Sequence, residues 1–388
     1  MRLENKYQIA ILGAGLTGRG FIGRLIYESR FPFILIDRNA ELVKTLDTRS
    51  RYTVSFFDNK REPISIDSFI CVDTENPDIP KLFADVRLFF ISVGISNLEM
   101  AGKWLAEKIE SSLTDDREHA TRTFILCENG TNPAGKLRES LMYSLPTGVR
   151  EYASRRCTFS EGVIFCTTIE DNCDPVDILS EDYQSMPCDA RGLGGNLPMI
   201  SALMPIEQFS GYLTRKLYTY NAASAIIAYI GWWKGYRVFA EAARDKEIHR
   251  LIADFFIQIN IALCRQYGFD PEDQENFTAS ALAKFQNQAI SDTIARNARD
   301  PFRKLGHSER IIGPAKLIAK YGGNADAMIS AAACALAYED PTDEDWKRRK
   351  AVTAEKEILL QVSGLSERDE LVEKILTRHN CLFKMKGV

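Results

Sequence analysis

The chain has 388 residues, 45% of them hydrophobic and 26% charged, which is the composition of an ordinary water-soluble protein with more than one domain. A formal net charge of −4 and a pI near 5.8 argue against a nucleic-acid-binding protein. No apolar run reaches the roughly 18 residues that a membrane-spanning helix needs, so we expect neither a membrane span nor a nucleic-acid partner.

Short apolar runs alternate with helical patterns in the first half of the chain. Strands are predicted over residues 7–12, 31–37, 86–93 and 123–127. A helix is predicted over 18–30, and the alternating stretch 52–72, with a turn at 58–60, predicts a hairpin. Nearly continuous apolar strands separated by helices indicate a parallel sheet covered on both faces. We therefore predict an α/β Rossmann-like domain over residues 1–198.

The second half of the chain changes to longer helical periods. Helices are predicted over residues 209–233, 237–267, 274–298 and 309–321, and over two further C-terminal stretches. The glycine-rich segment 192–198 is the predicted linker between the two halves. An all-α domain over residues 199–388 is therefore predicted to follow the α/β domain.

Residues 13–18 (Gly-Ala-Gly-Leu-Thr-Gly) lie between the first predicted strand and the first predicted helix and match the pattern G-x-G-x-x-G. In this motif Gly13 allows the sharp turn, Gly15 admits the pyrophosphate and Gly18 lets helix and sheet pack closely. The helix N-terminus offers unpaired N–H groups to the phosphates. Asp37 ends the next strand, where a carboxylate binds ribose hydroxyls and repels a 2′-phosphate. The pattern thus predicts NAD as the cofactor, although the arginine after Asp37 could accommodate NADP.

A second contact with the cofactor is expected at Val93 and Gly94, where another apolar strand ends. The carboxyl ends of parallel strands form the edge at which α/β proteins bind their ligands. Gly94 would let this loop pass close to the cofactor. An ordinary turn at the end of a strand is the alternative interpretation.

Several segments resemble the long-chain mannitol dehydrogenase family, a group of polyol and polyol-phosphate dehydrogenases that includes the mannitol-1-phosphate 5-dehydrogenases. The most specific resemblance lies in residues 13–24 (GAGLTGRGFIGR) and 215–221 (RKLYTYN), the latter followed by 225–231 (AIIAYIG). Supporting similarities are found at residues 127–129, 265–270 and 301–305. The resemblance spans both predicted domains and implies an NAD-dependent enzyme that interconverts a secondary alcohol and a ketone.

The family's catalytic signature, Lys-x4-Asn-x2-His, corresponds here to Lys216, Asn221 and Ser224, so serine stands in place of the histidine. At about 100° per residue these positions fall within roughly 140° on one helix. By resemblance, Lys216 is the base that takes the hydroxyl proton, which requires that burial lower its pKa. Asn221 and Asn129 are expected to donate hydrogen bonds to the substrate oxygen. Ser224 can donate one hydrogen bond but cannot titrate.

A second departure from the family concerns the substrate. Family members carry an Asp-Arg pair at a position that aligns with Val163 and Ile164 in this chain. Glu161 is the neighbouring acid that is expected to replace part of that function, and no arginine is present there. Mannitol 1-phosphate is therefore not assumed to be the substrate.

A basic stretch around Pro301 is the candidate for binding an anionic group of the substrate. Its basic residues are Arg299, Arg303, Lys304, His307 and Arg310. Such a cluster would suit a phosphate or a carboxylate, with Arg303, Lys304 and His307 as the predicted substrate contacts. A solvated loop is the alternative. Of the four histidines, His307 is the candidate to stand in for the missing one, although a lone histidine is more often structural.

The nine cysteines are interpreted as reduced structural thiols, because none forms a C-x-x-C pair and several lie in apolar runs. A group spaced along the middle of the chain lacks both a histidine and a familiar zinc spacing: Cys157, Cys166, Cys173 and Cys188. No metal is therefore expected. Without a signal-peptide core at the N-terminus, the cytoplasm is the expected compartment.

These observations lead to one main hypothesis and two alternatives. The main hypothesis is an NAD-dependent oxidoreductase that acts on a polyol, sugar acid or sugar phosphate as its small-molecule partner. The first alternative is a catalytically impaired protein that binds NAD as a sensor or structural ligand, because the histidine and the Asp-Arg pair are missing. The second is an enzyme like the β-hydroxyacid dehydrogenases, which also join a Rossmann domain to helices. The sequence makes no prediction about the oligomeric state.

Overall fold

A computed structural model of the chain describes residues 7–57, 60–112, 121–171, 174–290, 292–339 and 343–386. The chain divides into two compact units, Met1–Phe209 and Ser210–Val388, which we call the N-terminal and the C-terminal unit. The sequence predicts the boundary at residue 198, which is earlier than this division. The difference arises because strand Leu203–Ile206 pairs with strand Met186–Asp189 and so belongs to the N-terminal unit.

The strands all lie in the N-terminal unit of the described chain. In chain order they are β1 Ile9–Leu12, β2 Phe33–Asp37, β3 Tyr52–Phe56, β4 Ile64–Ile66, β5 Phe69–Asp73, β6 Leu88–Ile91, β7 Arg122–Leu126, β8 Cys157–Glu161, β9 Thr168–Glu170, β10 Ile178–Ser180, β11 Met186–Asp189 and β12 Leu203–Ile206. Six of them form one sheet in the order β5-β2-β1-β6-β7-β8, with every neighbouring pair parallel. This is the strand order of the Rossmann fold, with its switch point between β1 and β6.

Alternate residues of the central strands are buried on opposite faces of this sheet. On β1, Ile9 and Ile11 belong to one core, whereas Ala10 and Leu12 belong to the other. The helices that cover the sheet are α1 Arg24–Glu28, α2 Ala40–Arg49, α3 Ile79–Phe83, α4 Leu98–Ser112, α5 Pro133–Ser144 and α6 Thr147–Arg156. Side chains of α3 to α6 pack into one core, and those of α1 and α2 pack into the other. The predicted parallel sheet covered on both faces is confirmed.

The hairpin predicted over residues 52–72 is present in part. Strands β3 and β4 are antiparallel, with Val54 opposite Ile64, and β3 also pairs with β10 in a separate four-stranded sheet. Of the predicted turn, Asp58 and Asn59 lie outside the described residues. The prediction was wrong for β5, which pairs in parallel with β2 at the edge of the main sheet. An edge strand alternates between buried and exposed positions, so its pattern resembles that of a hairpin strand.

The C-terminal unit consists of helices. They are α7 Phe209–Lys216, α8 Ala222–Trp233, α9 Phe239–Arg244, α10 Lys246–Tyr267, α11 Pro271–Phe285, α12 Ile294–Ala298, α13 Pro301–Lys304, α14 Ile312–Lys320, α15 Asp326–Ala337, α16 Glu344–Val352, α17 Glu355–Ser363 and α18 Glu370–Lys386. The core includes α8 and α15, because both helices are apolar on nearly every side and are buried over most of their length. The predicted all-α character of this half is confirmed.

Several predicted helices are divided in the structure, and two of the divisions lie at a capping residue. The helix predicted over 237–267 is interrupted at Asp245, whose carboxylate accepts hydrogen bonds from the N–H groups of Glu247 and Ile248 in the first turn of α10. The helix predicted over 274–298 is interrupted before Thr293, whose hydroxyl oxygen accepts a hydrogen bond from the N–H of Arg296. Beyond residue 321 the described residues form four helices where the sequence predicts two. Caps such as these depend on short polar side chains, which interrupt the apolar period without removing it.

Candidate active site

The glycines of the loop between β1 and the first helix are required for two different reasons. Gly13 has φ +101°, and a Cβ at this position would lie 2.1 Å from the carbonyl oxygen of Ser92. A Cβ on Gly18 would lie 2.0 Å from the carbonyl oxygen of Gly13. A Cβ on Gly15, by contrast, would meet no protein atom within 4 Å. The fold itself therefore demands Gly13 and Gly18, whereas the open space at Gly15 fits the close approach of a pyrophosphate.

Asp37 is fixed beside this loop by two main-chain hydrogen bonds. Its Oδ2 accepts from the N–H of Ala14 at 2.7 Å, and its Oδ1 accepts from the N–H of Asn39 at 2.9 Å. The carboxylate remains partly exposed, and each oxygen has a further lone pair to offer. Asp37 thus stands at the carboxyl end of β2, next to the glycine loop, in the position predicted for a group that binds ribose hydroxyls.

A buried arginine forms a hydrogen bond with the main chain of the glycine loop. Arg19 is only 3% exposed, and its guanidinium donates to the carbonyl oxygen of Ala14 and, at 3.4 Å, to that of Pro175. Burial lowers the pKa of Arg19 below its usual range. The Tyr52 hydroxyl donates to the carbonyl oxygen of Arg19 at 3.1 Å, within the π-helical segment Gly18–Gly23. Sequence reasoning missed this residue, although an arginine in an otherwise glycine-rich and apolar segment was a usable signal.

The ends of three further strands carry the other candidate residues of the N-terminal unit. Because β1, β6, β7 and β8 are adjacent and parallel, Gly94, Asn129 and Glu161 follow along one edge of the sheet. Gly94 has φ +87°, and its N–H donates to Oε1 of Glu128 at 2.7 Å. Burial raises the pKa of Glu128 above its usual range. This carboxylate was not among the predicted site residues, and it ties the loop of Val93 and Gly94 to the end of β7.

Asn129 and Glu161 differ in their exposure and in their contacts. Asn129 is exposed beyond the end of β7, in a position where its amide is accessible. Glu161 is partly buried, its Oε1 accepts from the N–H of Ala134 at 3.2 Å, and burial raises the pKa of its carboxyl group. Ala134 lies in the first turn of α5, where a carboxylate interacts favourably with the helix dipole. The structure therefore gives Glu161 a role in holding the start of α5.

In the C-terminal unit, Lys216, Asn221 and Ser224 follow one another along continuous helical backbone. Lys216 ends α7, and a π-helical segment, Leu217–Asn221, connects it to α8. The wide π turn pairs residues five apart, so it moves Asn221 toward the face of Lys216, closer than an α-helix would place it. Nine of the 12 residues of α8 are buried, whereas Asn221 and Ser224 are both partly exposed. Asn221 and Ser224 therefore lie on a partly exposed face of an otherwise buried stretch, and the ammonium group of Lys216, at the start of that stretch, is buried.

Lys216 has an unusual electrostatic environment. Its pKa is lowered to about 7, first by burial of the ammonium group and further by the positive charges of Lys284 and Arg310. A lysine with such a pKa is neutral in about half of the molecules at neutral pH. It can therefore accept a proton, which an ordinary lysine at that pH cannot do.

Ser224 contacts a residue that sequence reasoning missed. Its Oγ lies 3.4 Å from Oδ1 of Asn297, a side chain of α12 that is 73 positions further along the chain. The main-chain oxygen of Asn297 in turn accepts a hydrogen bond from Nζ of Lys304. Nothing local in the sequence marks Asn297, because its contact with Ser224 exists only in the folded unit.

Lys304 and Arg310 are the most buried cations of the basic stretch. Lys304 is 4% exposed, its Nζ lies 5.8 Å from the centre of the Tyr229 ring, and its pKa is lowered to about 7 by burial and by Arg310. The side chain of Arg310 is 19% exposed and carries an ion pair with Glu309 at 3.3 Å. Arg310 is close enough to lower the pKa of both Lys216 and Lys304. The structure thus brings the signature lysine and the basic stretch together.

The other two predicted substrate contacts are engaged elsewhere. Arg303 is half-exposed and pairs with Asp300 and, at 3.5 Å, with Glu309. The ring of His307 lies 2.8 Å from the main-chain oxygen of Ser363, at the end of α17, and next to Nζ of Lys316. The structure therefore directs His307 toward α17, and Asn297 is the side chain that lies beside Ser224.

The thiols that could suggest a metal site are buried. Cys157, Cys166 and Cys188 are all less than 10% exposed, whereas Cys173 lies outside the described residues. Burial raises the pKa of Cys157 and of Cys188 to about 11. Over the described part of the chain, no three His, Cys, Asp or Glu side chains group together as ligands for a metal ion. No helix within these same residue ranges is long and apolar enough to cross a membrane.

Two family models and the curated relatives identify the family of this chain. The family model of the mannitol dehydrogenase Rossmann domain matches residues 7–201, and that of the mannitol dehydrogenase C-terminal domain matches residues 208–380. Mannitol-1-phosphate 5-dehydrogenase of Bacillus subtilis (strain 168) is 28% identical over 374 residues, which cover 95% of this chain and 98% of that protein. The enzyme of the same name from Brevibacillus brevis is 29% identical over 342 residues, 87% of this chain and 88% of that protein.

Solved structures show the same fold. Pseudomonas fluorescens mannitol 2-dehydrogenase, in a ternary complex with NAD and D-mannitol, aligns with a TM-score of 0.74 at 13% identity, covering 98% of this chain and 93% of its own. A substrate-free D-sorbitol dehydrogenase aligns with a TM-score of 0.77 at 14% identity, covering 98% and 94%. At such low identity these structures establish the fold and nothing about the substrate.

Proposed function

The chain belongs to the mannitol dehydrogenase family, and we propose that it is an NAD-dependent oxidoreductase. The proposed reaction interconverts a secondary alcohol and a ketone on a polyol, sugar acid or sugar phosphate. The observation that carries this proposal is Lys216, a partly buried lysine with a pKa of about 7 on the same helical face as Asn221. Alcohol oxidation requires a group that takes the hydroxyl proton at neutral pH, and this lysine is suited to do so.

Each side chain of the signature has a proposed part in that reaction. When bound, NAD supplies the hydride acceptor. Neutral Lys216 accepts the proton of the substrate hydroxyl, and its charged form returns the proton in the reverse direction. The amide of Asn221 donates a hydrogen bond to the same oxygen, where negative charge develops. Asn129, exposed at the end of β7, is proposed as a further donor to the substrate.

The N-terminal unit is proposed to prefer NAD to NADP, because Asp37 would accept hydrogen bonds from the ribose hydroxyls and repel a 2′-phosphate. The change Asp37→Ser is expected to raise the Kd of NADH by about tenfold or more, since hydrogen bonds to a charged group contribute about 1.5–3 kcal/mol. The Kd of NADPH should fall, because the repulsion is removed. Fluorescence titration with each cofactor measures both constants.

The matched control for this change is Asp73→Ser. Asp73 ends β5, where it is the register partner of Asp37, and its Oδ1 caps the N–H of Glu75 rather than the glycine loop. This variant should leave the ratio of the two dissociation constants as it is in the wild type. An unchanged ratio in Asp37→Ser would contradict the assignment of Asp37 to the ribose.

The substrate is proposed to carry an anionic group, a phosphate or a carboxylate. Five cations of the C-terminal unit lower the pKa of Lys216 or of one another and form a group beside Lys216, which we call the cationic cluster: Lys284, Arg299, Arg303, Lys304 and Arg310. Nearby acids are fewer, with Asp300 and Glu309 as the carboxylates that pair with the arginines. Positive charges held close together and partly out of water favour binding of an anion.

A substrate screen with NAD tests the proposed function. Mannitol 1-phosphate or a sugar acid is expected to give a kcat/KM about 100-fold above that of mannitol, because two charged hydrogen bonds contribute about 3 kcal/mol. The change Arg310→Gln should reduce this preference by about tenfold. Arg348→Gln is the matched control, because Arg348 lies on α16 with a side chain that is 75% exposed. Equal losses with charged and uncharged substrates in Arg310→Gln would remove the anion site from the proposal.

The screen also separates the alternatives. A protein that binds NAD tightly but turns over none of the polyols, sugar acids and phosphates would be the sensor or structural protein. Oxidation of small β-hydroxy acids in preference to sugars would place the activity with the β-hydroxyacid dehydrogenases. Membership of the mannitol dehydrogenase family and the environment of Lys216 support the polyol dehydrogenase over both.

A further inference from the structure

Ser224 and Asn297 form a pair at the signature position where the resemblance implies a histidine. The Ser224 Oγ lies 3.4 Å from Oδ1 of Asn297, and both residues are partly exposed. The other end of the amide, Nδ2 of Asn297, lies 3.0 Å from the main-chain oxygen of Thr293. The amide oxygen of Asn297 therefore faces Ser224, and the amide nitrogen faces Thr293.

The neighbours of Asn297 decide which way each hydrogen points. A main-chain carbonyl oxygen can only accept, so the NH2 group of Asn297 must face Thr293 and its Oδ1 must face Ser224. Because Oδ1 can only accept as well, the hydroxyl of Ser224 donates its single hydrogen to Asn297. What Ser224 then presents to the open face of α8 is lone pairs, without a hydrogen.

We propose that Ser224 accepts a hydrogen bond from a substrate hydroxyl on a carbon beside the one that reacts, and that Asn297 is the positioning residue that keeps Ser224 in this orientation. The inference rests on the proposed function, since it places the reacting oxygen at Asn221. Ser224 lies three residues after Asn221, so their side chains are neighbours about 5–6 Å apart on the helix surface. A carbonyl or ionised carboxylate has no hydrogen to offer at this position, so the inference specifies a hydroxyl there.

The helix that carries Asn297 is held firmly against α8. The Tyr229 hydroxyl, on α8, donates to the main-chain oxygen of Ala298 at 2.8 Å, and both residues are fully buried. Nζ of Lys304 donates to the main-chain oxygen of Asn297. These contacts hold the backbone at Asn297, and the hydrogen bond from its Nδ2 to the main-chain oxygen of Thr293 holds the side-chain amide beside Ser224.

Deoxy analogues test the acceptor role of Ser224. The probes are mannitol 1-phosphate, oxidised with NAD, and its analogues that lack the hydroxyl on either carbon beside the oxidised one. The wild type should lose about tenfold in kcat/KM with one of the two analogues, because one hydrogen bond is lost. The change Ser224→Ala should lower kcat/KM for mannitol 1-phosphate by about the same tenfold. With the analogue that the wild type oxidises poorly, Ser224→Ala should lower kcat/KM no further. Ser280→Ala, on an exposed position of α11, is the matched control and should behave as the wild type.

Variants of Asn297 test the positioning role through the preference of the enzyme, which is kcat/KM for mannitol 1-phosphate divided by kcat/KM for the deoxy analogue. Asn297→Leu removes the acceptor and lets Ser224 rotate, so the preference for mannitol 1-phosphate over the deoxy analogue should fall to about two- to threefold. Asn297→Asp keeps an acceptor toward Ser224 but loses the hydrogen bond that Nδ2 donates to Thr293, so its preference should lie between those of Asn297→Leu and the wild type. Combining Asn297→Leu with Ser224→Ala should add no loss beyond that of Ser224→Ala, because the two residues act as one unit. Thermal unfolding and the Kd of NADH, measured on each variant, show that a loss is not a loss of fold.

Three results would contradict the inference in whole or in part, and each has a different meaning. If the wild type oxidises mannitol 1-phosphate but Ser224→Ala keeps the full preference over both analogues, the acceptor role is wrong and the proposed function stands. If the wild type turns over neither mannitol 1-phosphate nor any other probe of the screen, the proposed function fails and the inference fails with it. Asn297→Leu with an undiminished preference would reject the positioning role alone.

Discussion

Lys216→Ala is expected to lower kcat for alcohol oxidation by about a thousandfold, because positioned general bases contribute about 10²- to 10⁴-fold. The Kd of NADH should stay within about twofold, since Lys216 lies in the C-terminal unit and the glycine loop in the N-terminal one. Steady-state kinetics with the best substrate of the screen and fluorescence titration with NADH give the two quantities.

The pH profile of the wild type should report the same group. Because the pKa of Lys216 is lowered to about 7, oxidation, which needs the neutral amine, should rise as pH increases through about 7 and then level off. Reduction needs the charged amine and should fall as pH increases through the same range. Opposite slopes in the two directions distinguish a titrating base from a general effect of pH on stability.

Two further variants distinguish proton transfer by Lys216 from an effect of its positive charge. Lys216→Arg keeps the positive charge but cannot lose its proton, so it should be as inactive as Lys216→Ala. Lys374→Ala is the matched control, because Lys374 lies on α18, is half-exposed and pairs with Glu370. Activity in Lys216→Arg within tenfold of the wild type would show that charge, and not proton transfer, is what Lys216 provides.

Gly15→Ala and Gly18→Ala are expected to fail in different ways. A Cβ at Gly18 would lie 2.0 Å from the carbonyl oxygen of Gly13, so the backbone must shift. We expect the free energy of unfolding to fall by about 3 kcal/mol and the Tm by about 10 °C. A Cβ at Gly15 meets no protein atom within 4 Å, so the Tm should stay within about 2 °C of the wild type.

The effect of Gly15→Ala should appear instead in cofactor binding. The added methyl group would occupy the space through which the pyrophosphate approaches the loop, so the Kd of NADH should rise by about 100-fold, equivalent to about 3 kcal/mol. Calorimetric unfolding and NADH titration measure the two effects separately. Gly148→Ala serves as the control, because a Cβ there also meets nothing within 4 Å and the residue lies on α6, away from the loop. Unchanged NADH binding in Gly15→Ala would contradict the assignment of this loop to the pyrophosphate.

Much of the N-terminal unit is determined by residues that are close in sequence. The apolar runs of β1, β2, β6 and β7 predict a buried parallel sheet, because each residue's face follows from its position along the strand. The glycine loop could be recognised for the same reason, since its strand, its turn and its helix are consecutive. Family membership also followed from short continuous segments, and both family models confirm it.

Only the tertiary structure decided what surrounds the signature. The π turn Leu217–Asn221 sets how Lys216 and Asn221 share a face, and the pattern of residues gave no sign of it. Lys216 acquires its low pKa from burial and from Lys284 and Arg310, which lie 68 and 94 positions further along the chain. Asn297 meets Ser224 across 73 positions.

The features that the sequence predicts and the features that only the tertiary structure decides differ in the range of the interactions behind them. Strand alternation, glycine turns and helix caps depend on a residue and its near neighbours, so a single sequence contains them. A lowered pKa and an amide orientation depend on which distant groups are packed together and how much water is excluded. For this protein the sequence therefore determined the sheet, the glycine loop and the identity of the signature residues. The folded C-terminal unit decided the charge state of Lys216 and the direction in which Ser224 points its hydrogen.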